Sequence, residues 1–388
     1  MKKIFLLLLA FTLVACSSSE DTADNTKDDS KKDETKQEEE VKEDEIVDIS
    51  FSAVGDNLIH GAIPYYNQTA DLQYTFDYIY EPYKALNEGV DISYINQETI
   101  CAGQELELSS YPTFNGPYEI LDAVHSAGFN WLSTSSNHTM DRGEQGILNQ
   151  LNYLSKYPDL TVTGTQASAD EGRTRIKEVN GVKVGMVGYT YGLNGFEVPE
   201  GKDYLVNLID KDLIKEDMEL LNEQSDIQIV SMHWGEEYQF EPSTEQEELA
   251  QYLSDLGVDV IIGGHPHVIQ PMDYLEGKDG NQTLVMYSLG NFLSAQDENY
   301  RMLGGNARWN ISYNKTTDEF EFKDVEFWPT ITLIKNNYAY YQVYPLKDYT
   351  DEMGNEHTLH VTKNQDLSRQ YFIDLVNSVM NDKVEIVY

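Results

Sequence analysis

From residue 46 onward, short apolar runs alternate with segments whose apolar residues recur every three or four positions. The runs have the length and residue types of buried strands, as in Val47–Val54, Ile227–Met232 and Val258–Ile262. The periodic segments have the apolar stripe of helices that pack by one face, as in Tyr118–Ala127 and Gly143–Tyr157. Strands that alternate with helices predict an α/β fold.

The pattern changes after about residue 300. There, three segments alternate like strands, namely Trp309–Tyr313, Glu319–Trp328 and Tyr338–Val343, and one segment near the end has helical periodicity. We therefore predict an α/β domain over residues 46–299 and a β-rich C-terminal extension over residues 300–388 that packs on it.

The N-terminus has a composition of its own. Lys2 and Lys3 precede Ile4–Ala15, an apolar run of twelve residues. A membrane-spanning helix needs about 20 residues, so this run is too short to be one, but it has the length of the apolar region of a secretory signal. The run ends at Cys16, as in a bacterial lipobox. We predict that residues 1–16 are a lipoprotein signal peptide and that Cys16 carries a lipid anchor in the membrane.

Residues 17–45 are strongly acidic, with 13 acidic residues, five lysines and Val41 as the single sizeable apolar side chain. Such a segment cannot bury enough apolar surface to offset the entropy of ordering it. We predict a disordered tether, extended by its like charges. The folded part is therefore expected to work outside the cell, on the outer face of the cytoplasmic membrane.

The chain of 388 residues carries a formal net charge of −40. A field of this sign repels phosphate backbones, which excludes sequence-independent binding of nucleic acid. The two cysteines, Cys16 and Cys101, are too few for a disulfide scaffold or a cysteine-based zinc module.

Polar side chains of the metal-ligand or acid–base type follow six predicted strands at the point where each strand ends. In open α/β sheets, ligands bind beyond the carboxyl ends of the strands, so we expect one shared active site. These side chains are Asp56, Glu98, Asn137 with His138, His233, His265 with His267, and Asn291, with His60 and Asp141 as auxiliaries.

The chemistry of this set indicates metal ions. Oxygen and imidazole groups without a thiolate suit Mn, Fe, Zn or Ni rather than a structural zinc ion. Three histidines, two carboxylates and an amide are more than one ion usually needs, whereas two ions about 3.5–4 Å apart would use them all. We predict two divalent metal ions, with the ligands Asp56, Glu98, Asn137, His233, His265 and His267.

The segment His265-Pro266-His267 is the sharpest local signal. A proline favours an extended backbone at the residue before it, and residues two apart on an extended backbone point to the same side. The two imidazole rings are therefore predicted to converge on one cation.

Asn137 and His138 are predicted to divide two tasks, because neighbouring loop residues cannot easily share one ion. Asn137 is assigned as the ligand and His138 as the proton donor that faces the substrate. A histidine near two cations has a lowered pKa, which an acid partner such as Asp141 would restore. The alternative is that His138 only supports the ligands by hydrogen bonding.

The ordered segments that carry these residues are Val54-Gly55-Asp56, Asn96-Gln97-Glu98, Asn137–Gly143, His233–Tyr238, Gly264–Gln270 and Ser288–Phe292. Over residues 48–295 they resemble the CapA family of bacterial capsule and poly-γ-glutamate synthesis proteins, of the metallophosphatase-like superfamily. The resemblance implies a four-layer α-β-β-α sandwich of calcineurin-like type and a dinuclear metal site. Further residues expected to support the ligands or contact the substrate are His60, Asn96, Arg142, Trp234, Glu236, Tyr238 and Asn291. For the aromatic residues Trp234 and Tyr238, packing is the favoured role and contact with the polymer is the alternative.

Two functions remain open from the sequence. The first is a metal-dependent hydrolase or transferase of capsule biosynthesis or export, in which activated water attacks a phosphoester or polymer amide and His138 protonates the leaving group. The second is a non-catalytic accessory protein that holds the anionic polymer, or the membrane-bound synthase subunits, through metal ions. Residues 46–388 keep a net charge of −34 once the +2 of residues 1–16 and the −8 of residues 17–45 are removed from −40. A polyanion therefore needs local positive charge, from the cations or from an arginine such as Arg142.

Overall fold

A computed structural model describes residues 44–71 and 73–388 of the chain. The predicted signal peptide with Cys16, and nearly all of the predicted tether, lie outside the described residues. No helix in the described part of the chain is both long enough and apolar enough to cross a membrane.

Strands and helices alternate as the sequence pattern predicts. The strands are β1 (Ile46–Asn57), β2 (Ile92–Asn96), β3 (Trp131–Ser133), β4 (Thr161–Thr163), β5 (Arg175–Val179), β6 (Val182–Thr190), β7 (Ile227–His233), β8 (Val260–Gly264), β9 (Met272–Glu276), β10 (Gln282–Met286), β11 (Asn291–Leu293), β12 (Leu303–Asn314), β13 (Glu319–Lys335), β14 (Tyr340–Pro345) and β15 (Glu385–Ile386). The helices are α1 (Ala62–Tyr66), α2 (Asp77–Asn87), α3 (Glu119–Ser126), α4 (Gly143–Leu154), α5 (Lys211–Gln224), α6 (Thr244–Asp255), α7 (Asp351–Glu356), α8 (Thr358–Lys363) and α9 (Arg369–Val379).

Two sheets form the centre of the fold. The first has the order β14-β13-β12-β1-β2-β3-β4, with β11 beside β1 and β15 beside β13, and the second has the order β5-β6-β7-β8-β10-β9. Strands β1 to β4 run parallel, and so do β6, β7, β8 and β10. In each sheet the carboxyl ends of these strands therefore lie along one edge, which is where ligands bind in α/β proteins.

Alternate residues of the second sheet face two different layers. In β7, Ile227 and Ile229 belong to the core shared with the first sheet, whereas Val230 and Met232 pack with α5 and α6 on the opposite face. Helices α2 and α3 pack with the first sheet. The order of layers is helices, sheet, sheet, helices, so the predicted four-layer sandwich is confirmed.

The C-terminal strands are part of the first sheet and do not form an added layer. β12 pairs antiparallel with β1 from Ile46 opposite Asn314 to Val54 opposite Asn306, and β13 and β14 continue the sheet. The boundary predicted at residue 299 therefore falls inside one compact unit. Alternation along a strand indicates which face is buried but does not identify the partner strand, so the sequence pattern could not place β12 beside β1.

His357 links helix α8 to strand β13 of the first sheet by hydrogen bonds. Its side chain is buried, and its Nδ1 accepts a hydrogen bond of 3.1 Å from the backbone N–H of Leu359 at the start of α8. Its Nε2 therefore carries the proton and donates to the Thr332 carbonyl of β13 at 3.2 Å. Burial lowers the pKa of His357 to about 4, because a charged ring would be desolvated.

We expect His357 to make the protein sensitive to acid. The ordinary pKa of 6.5 exceeds the folded value of about 4, so below pH 6.5 the unfolded chain binds more protons. The free energy of unfolding should then fall by about 3 kcal/mol as the pH drops through this window. His357→Asn keeps a capping oxygen and should remove this part of the pH dependence, which urea denaturation between pH 7 and 4.5 measures.

The control is Ser368→Asn, which changes the cap of α9 without removing a titratable group. Its unfolding free energy should follow the wild-type pH dependence. Equal pH dependence of the wild type and His357→Asn would show that His357 is not the acid-sensitive group.

Candidate metal centre

The predicted ligands come together where the carboxyl ends of the two sheets meet. All six side chains are buried, although charged and amide side chains are normally exposed. A polar cluster without solvent needs its own hydrogen bonds or a bound ion. The residues are Asp56 at the end of β1, Glu98 after β2, Asn137 after β3, His233 at the end of β7, and His265 and His267 after β8.

Asp56 joins the first sheet to the loop that follows β8. Its two carboxylate oxygens each lie 3.2 Å from the backbone nitrogen of His265, and Oδ2 lies 3.0 Å from Nδ1 of His267. The side-chain amide of Asn96 donates to Oδ1 at 2.7 Å, and its predicted support of a ligand stays a prediction. Gly264 makes the approach feasible, because a Cβ there would lie 2.6 Å from Oδ1 of Asp56.

Glu98 is a buried carboxylate without a hydrogen-bond donor. Within the described residues, neither of its oxygens has a hydrogen-bond partner. Its Oε1 lies 3.6 Å from Nε2 of His267 and 3.9 Å from Nε2 of His233. Burial raises the pKa of Glu98 well above its ordinary value, and the charge of Asp56 adds to the rise. An ionised carboxylate in this position is destabilising unless a cation replaces the missing donors.

Two buried groups of ligand atoms share Glu98. Asp56, Glu98 and His267 form one group, and Glu98, His233 and His265 form the other, with the atoms of each group within 4.8 Å of one another. Glu98 belongs to both groups, and the number of two ions stays a prediction. The carboxylate and imidazole donors, together with the unpaired oxygens of Glu98, fit divalent metal ions of the predicted class.

Asn137 extends the second group. Its Oδ1 lies 3.0 Å from Nε2 of His233, and its amide nitrogen donates to Oδ1 of Asn194 at 3.4 Å. The hydrogen bond to Asn194 orients the Asn137 oxygen towards the same space as the imidazole, as the predicted ligand role requires.

His265 and His267 converge by a different route from the predicted one. Their ring centroids are 5.8 Å apart, but their φ angles are +99° and +59°, so the extended backbone predicted from Pro266 is wrong. The loop turns sharply at both histidines, and its middle carbonyl, that of Pro266, accepts a 2.8 Å hydrogen bond from the backbone N–H of Tyr238. Residues held in this region cost about 1–3 kcal/mol each and are concentrated at functional sites.

His138 and Asp141 form a buried pair at the edge of the centre. Nδ1 of His138 lies 2.7 Å from Oδ2 of Asp141, which also accepts the backbone N–H of Phe114 at 2.6 Å. The ring of Phe114 packs edge-on against the imidazole, with 4.6 Å between centroids. Because Asp141 holds the proton on Nδ1, Nε2 is the nitrogen that can face a substrate.

His60, Tyr238 and Asn291 flank the centre as predicted supporting residues. The Tyr238 ring centroid lies 6.0 Å from that of His267, and the Asn291 amide donates to the His267 carbonyl at 3.3 Å. His60 accepts the backbone N–H of Ala295 at 3.3 Å, and burial lowers the pKa of His60 to about 4. His60 is therefore a neutral hydrogen-bonding group rather than a cation at neutral pH.

Arg142 is hydrogen-bonded to a neighbouring loop. Its guanidinium donates to the carbonyls of Leu106, Glu107 and Asp141 and to the hydroxyl of Ser109. Most of its N–H donors are thus engaged by the chain itself, and the contact with an anionic substrate stays a prediction.

Trp234 and Glu236 also lie away from the ligands. Trp234 is buried in the core between the second sheet and α6, where its indole nitrogen donates to the Tyr287 carbonyl at 2.9 Å. The Glu236 side chain is exposed and lines a separate groove. The position of Trp234 agrees with the packing role favoured from the sequence, and a substrate contact of Glu236 stays a prediction. The other residues of the groove are Gln239, Glu241, Ser243 and Gln246.

Sequence reasoning missed Tyr191, Asn194 and Glu237. The first two follow β6, the strand after which no ligand was predicted, and the Tyr191 ring lies 4.6 Å from that of His265. A carboxylate oxygen of Glu237 lies within 4.8 Å of ligand atoms of both loop histidines. The position of Tyr191 directly after a parallel strand was a usable signal, whereas no spacing rule distinguishes Glu237 from its neighbour Glu236.

The model of the bacterial capsule synthesis protein family PGA_cap matches residues 50–296. The PGA biosynthesis protein CapA of Bacillus subtilis (strain 168) is 32% identical over 187 residues, which are 46% of this chain and 46% of that protein. The capsule biosynthesis protein CapA of Bacillus anthracis is 31% identical over 183 residues, which are 46% of this chain and 43% of that protein. The match thus spans less than half the length of each relative.

Similar solved structures include the NAD nucleotidase NadN of Haemophilus influenzae, at 14% identity and a TM-score of 0.46, covering 88% of this chain and 57% of that chain. A 5′-nucleotidase precursor of Thermus thermophilus has 13% identity and a TM-score of 0.44, covering 86% of this chain and 59% of that chain. The residues that match the family model, 50–296, are well over half of the chain and include every residue of the candidate metal centre. This chain, an α/β protein of two sheets between layers of helices, therefore belongs to the bacterial capsule synthesis protein family PGA_cap.

Proposed function

We propose that this protein is a metal-dependent hydrolase or transferase of capsule or poly-γ-glutamate biosynthesis, acting on a phosphoester or on a polymer amide. The observation that carries the proposal is the buried Glu98, whose unpaired oxygens lie between His233 and His267. In a purely structural protein, an apolar residue of similar volume in place of this carboxylate would be neutral or stabilising. The arrangement is therefore best explained by bound cations.

The proposed reaction assigns a task to each group of residues. The six buried ligands hold the ions, which when bound would activate a water molecule and stabilise negative charge on the substrate. His138 protonates the leaving group from Nε2, because Asp141 keeps its Nδ1 proton in place. Phe114 covers one side of the imidazole and limits the access of water to it.

The proposed location is the outer face of the cytoplasmic membrane, with a lipid anchor at Cys16 and the acidic tether between anchor and enzyme. This follows from the composition of residues 1–45. The proposed partners are the anionic capsule polymer and the membrane-bound synthase subunits; the names of the two CapA relatives refer to PGA and capsule biosynthesis and do not mention a synthase. The chain's own acidic surface makes bound cations the attractive element for such a polymer.

We expect Glu98→Gln to remove most of the effect of metal ions on the melting temperature. Mn²⁺ should raise the melting temperature of the chelator-treated wild type, since it binds the folded state. The variant should lose most of this rise, and without metal it should melt at or above the metal-free wild type, because an amide is easier to bury than an unpaired carboxylate. Differential scanning calorimetry measures both effects, with the exposed Glu248→Gln as control. A full metal-dependent rise in Glu98→Gln would contradict the assignment.

His138→Ala should lower the turnover of bis(p-nitrophenyl) phosphate by about 10²- to 10⁴-fold while the bound metal stays constant, because the residue donates a proton and holds no ion. Metal content by mass spectrometry and initial rates test this together. The control residue His125 lies on α3, is partly exposed and pairs with Asp159. His125→Ala should therefore keep the wild-type rate. Undiminished turnover in His138→Ala would refute its role. Bound metal without turnover of any ester or polymer would favour the accessory function.

In cells, His265→Ala should reduce capsule polymer at normal levels of the protein, since it removes a ligand from the centre. Polymer yield and immunoblotting in the same culture provide the measurement. Unchanged polymer at equal protein level would remove the biosynthetic assignment.

A further inference from the structure

The loop after β7 brings an additional carboxylate to the open side of the centre. Glu237 is exposed, and one of its oxygens forms a group with a nitrogen of His265 and a nitrogen of His267, all within 4.8 Å of one another. Glu98, by contrast, is buried. The two loop histidines thus lie near one carboxylate in the interior and another that is open to solvent.

The backbone places Glu237 there. The N–H of Tyr238, the next residue, donates to the Pro266 carbonyl at 2.8 Å, and the N–H of Trp234 donates to the Gly264 carbonyl at 3.1 Å. Both ends of the loop are therefore hydrogen-bonded to the segment that carries the histidines. The guanidinium carbon of Arg301 lies 3.6 Å from the centroid of the Tyr238 ring. The same centroid lies 6.0 Å from that of His267 in the histidine segment.

Glu237 adds negative charge to a site that already has an excess. Its carboxylate lies near the same two histidines as the buried Glu98, and the carboxylate of Asp56 lies 3.0 Å from Nδ1 of His267. Carboxylates placed this close repel one another unless a cation lies between them.

We propose that Glu237 is a metal ligand, which binds from the solvent side the cation held by the loop histidines. This inference rests on the proposed metal centre and extends its donor set by one carboxylate. Among the donors named above, Glu237 is the exposed one, so a substrate oxygen can displace it without disturbing the core. Glu237 thereby controls the coordination position that the substrate must take.

The chain offers a matched control in the adjacent residue. Glu236 and Glu237 are both exposed and carry the same charge, but Glu236 lines the separate groove with Gln239 and Glu241. Substitution of either residue by glutamine changes the net charge equally, so a general field effect would appear in both variants. A coordination effect would appear in Glu237→Gln alone.

The experiment is a calorimetric titration of Mn²⁺ into chelator-treated full-length wild type, Glu237→Gln, Glu237→Asp and Glu236→Gln. We expect Glu237→Gln to weaken Mn²⁺ binding at least about 10-fold, with Glu237→Asp in between, because a shorter carboxylate keeps the charge but shifts the oxygen. Glu236→Gln should bind as the wild type does. Circular dichroism and the metal-free melting temperature establish that each variant is folded, and the metal-free Glu237→Gln should melt at or above the wild type.

The outcomes separate this inference from the proposed function. Equal Mn²⁺ affinity of Glu237→Gln and Glu236→Gln, with normal binding by the wild type, would overturn the role of Glu237 and leave the buried centre intact. Absence of Mn²⁺ binding by the wild type would overturn both.

Discussion

The carboxylate of Glu98 is the group on which the rest of the centre depends. It is buried, both of its oxygens lack donors among the described residues, and two imidazole nitrogens lie 3.6 Å and 3.9 Å from it. A buried carboxylate without hydrogen-bond donors is unfavourable in a protein interior. Burial raises its pKa well above the ordinary value, and in the proposed metal-bound protein a cation would take the place of the missing donors.

The centre also depends on how closely the two sheets approach each other. Asp56 and Asn96 come from the first sheet, whereas His233 and the loop histidines come from the second. Beneath them the sheets meet through small side chains, with the hydroxyls of Ser133 and Ser231 2.9 Å apart. At Gly188, in the second sheet, a Cβ would lie 2.8 Å from the hydroxyl of Ser133 in the first sheet. Larger residues here would separate the sheets and with them the two halves of the ligand set.

Several features of the site could be predicted because they follow from chain direction alone. Parallel strands end at a common edge, so Asp56, Glu98 and His233 were expected to meet without knowledge of any contact. Long-range packing decided the rest. The extended backbone predicted at His265 is wrong, and the contacts of Arg142 and Trp234 with distant backbone carbonyls and with the core of the second sheet could not be read from their positions next to site residues.

The alternation of strands and helices, the ligand types at the strand ends and the acidic composition were properties of the sequence by itself. They determined the α/β class, the family and the donor set of the candidate metal centre, because each depends only on local pattern or on the donor atoms present. Tertiary structure decided that β12 pairs with β1 in the first sheet. It also decided that both loop histidines have positive φ angles and that Glu237, rather than Glu236, lies near them. These outcomes depend on contacts between segments far apart in the chain, and the spacing of residues along the chain does not reveal such contacts.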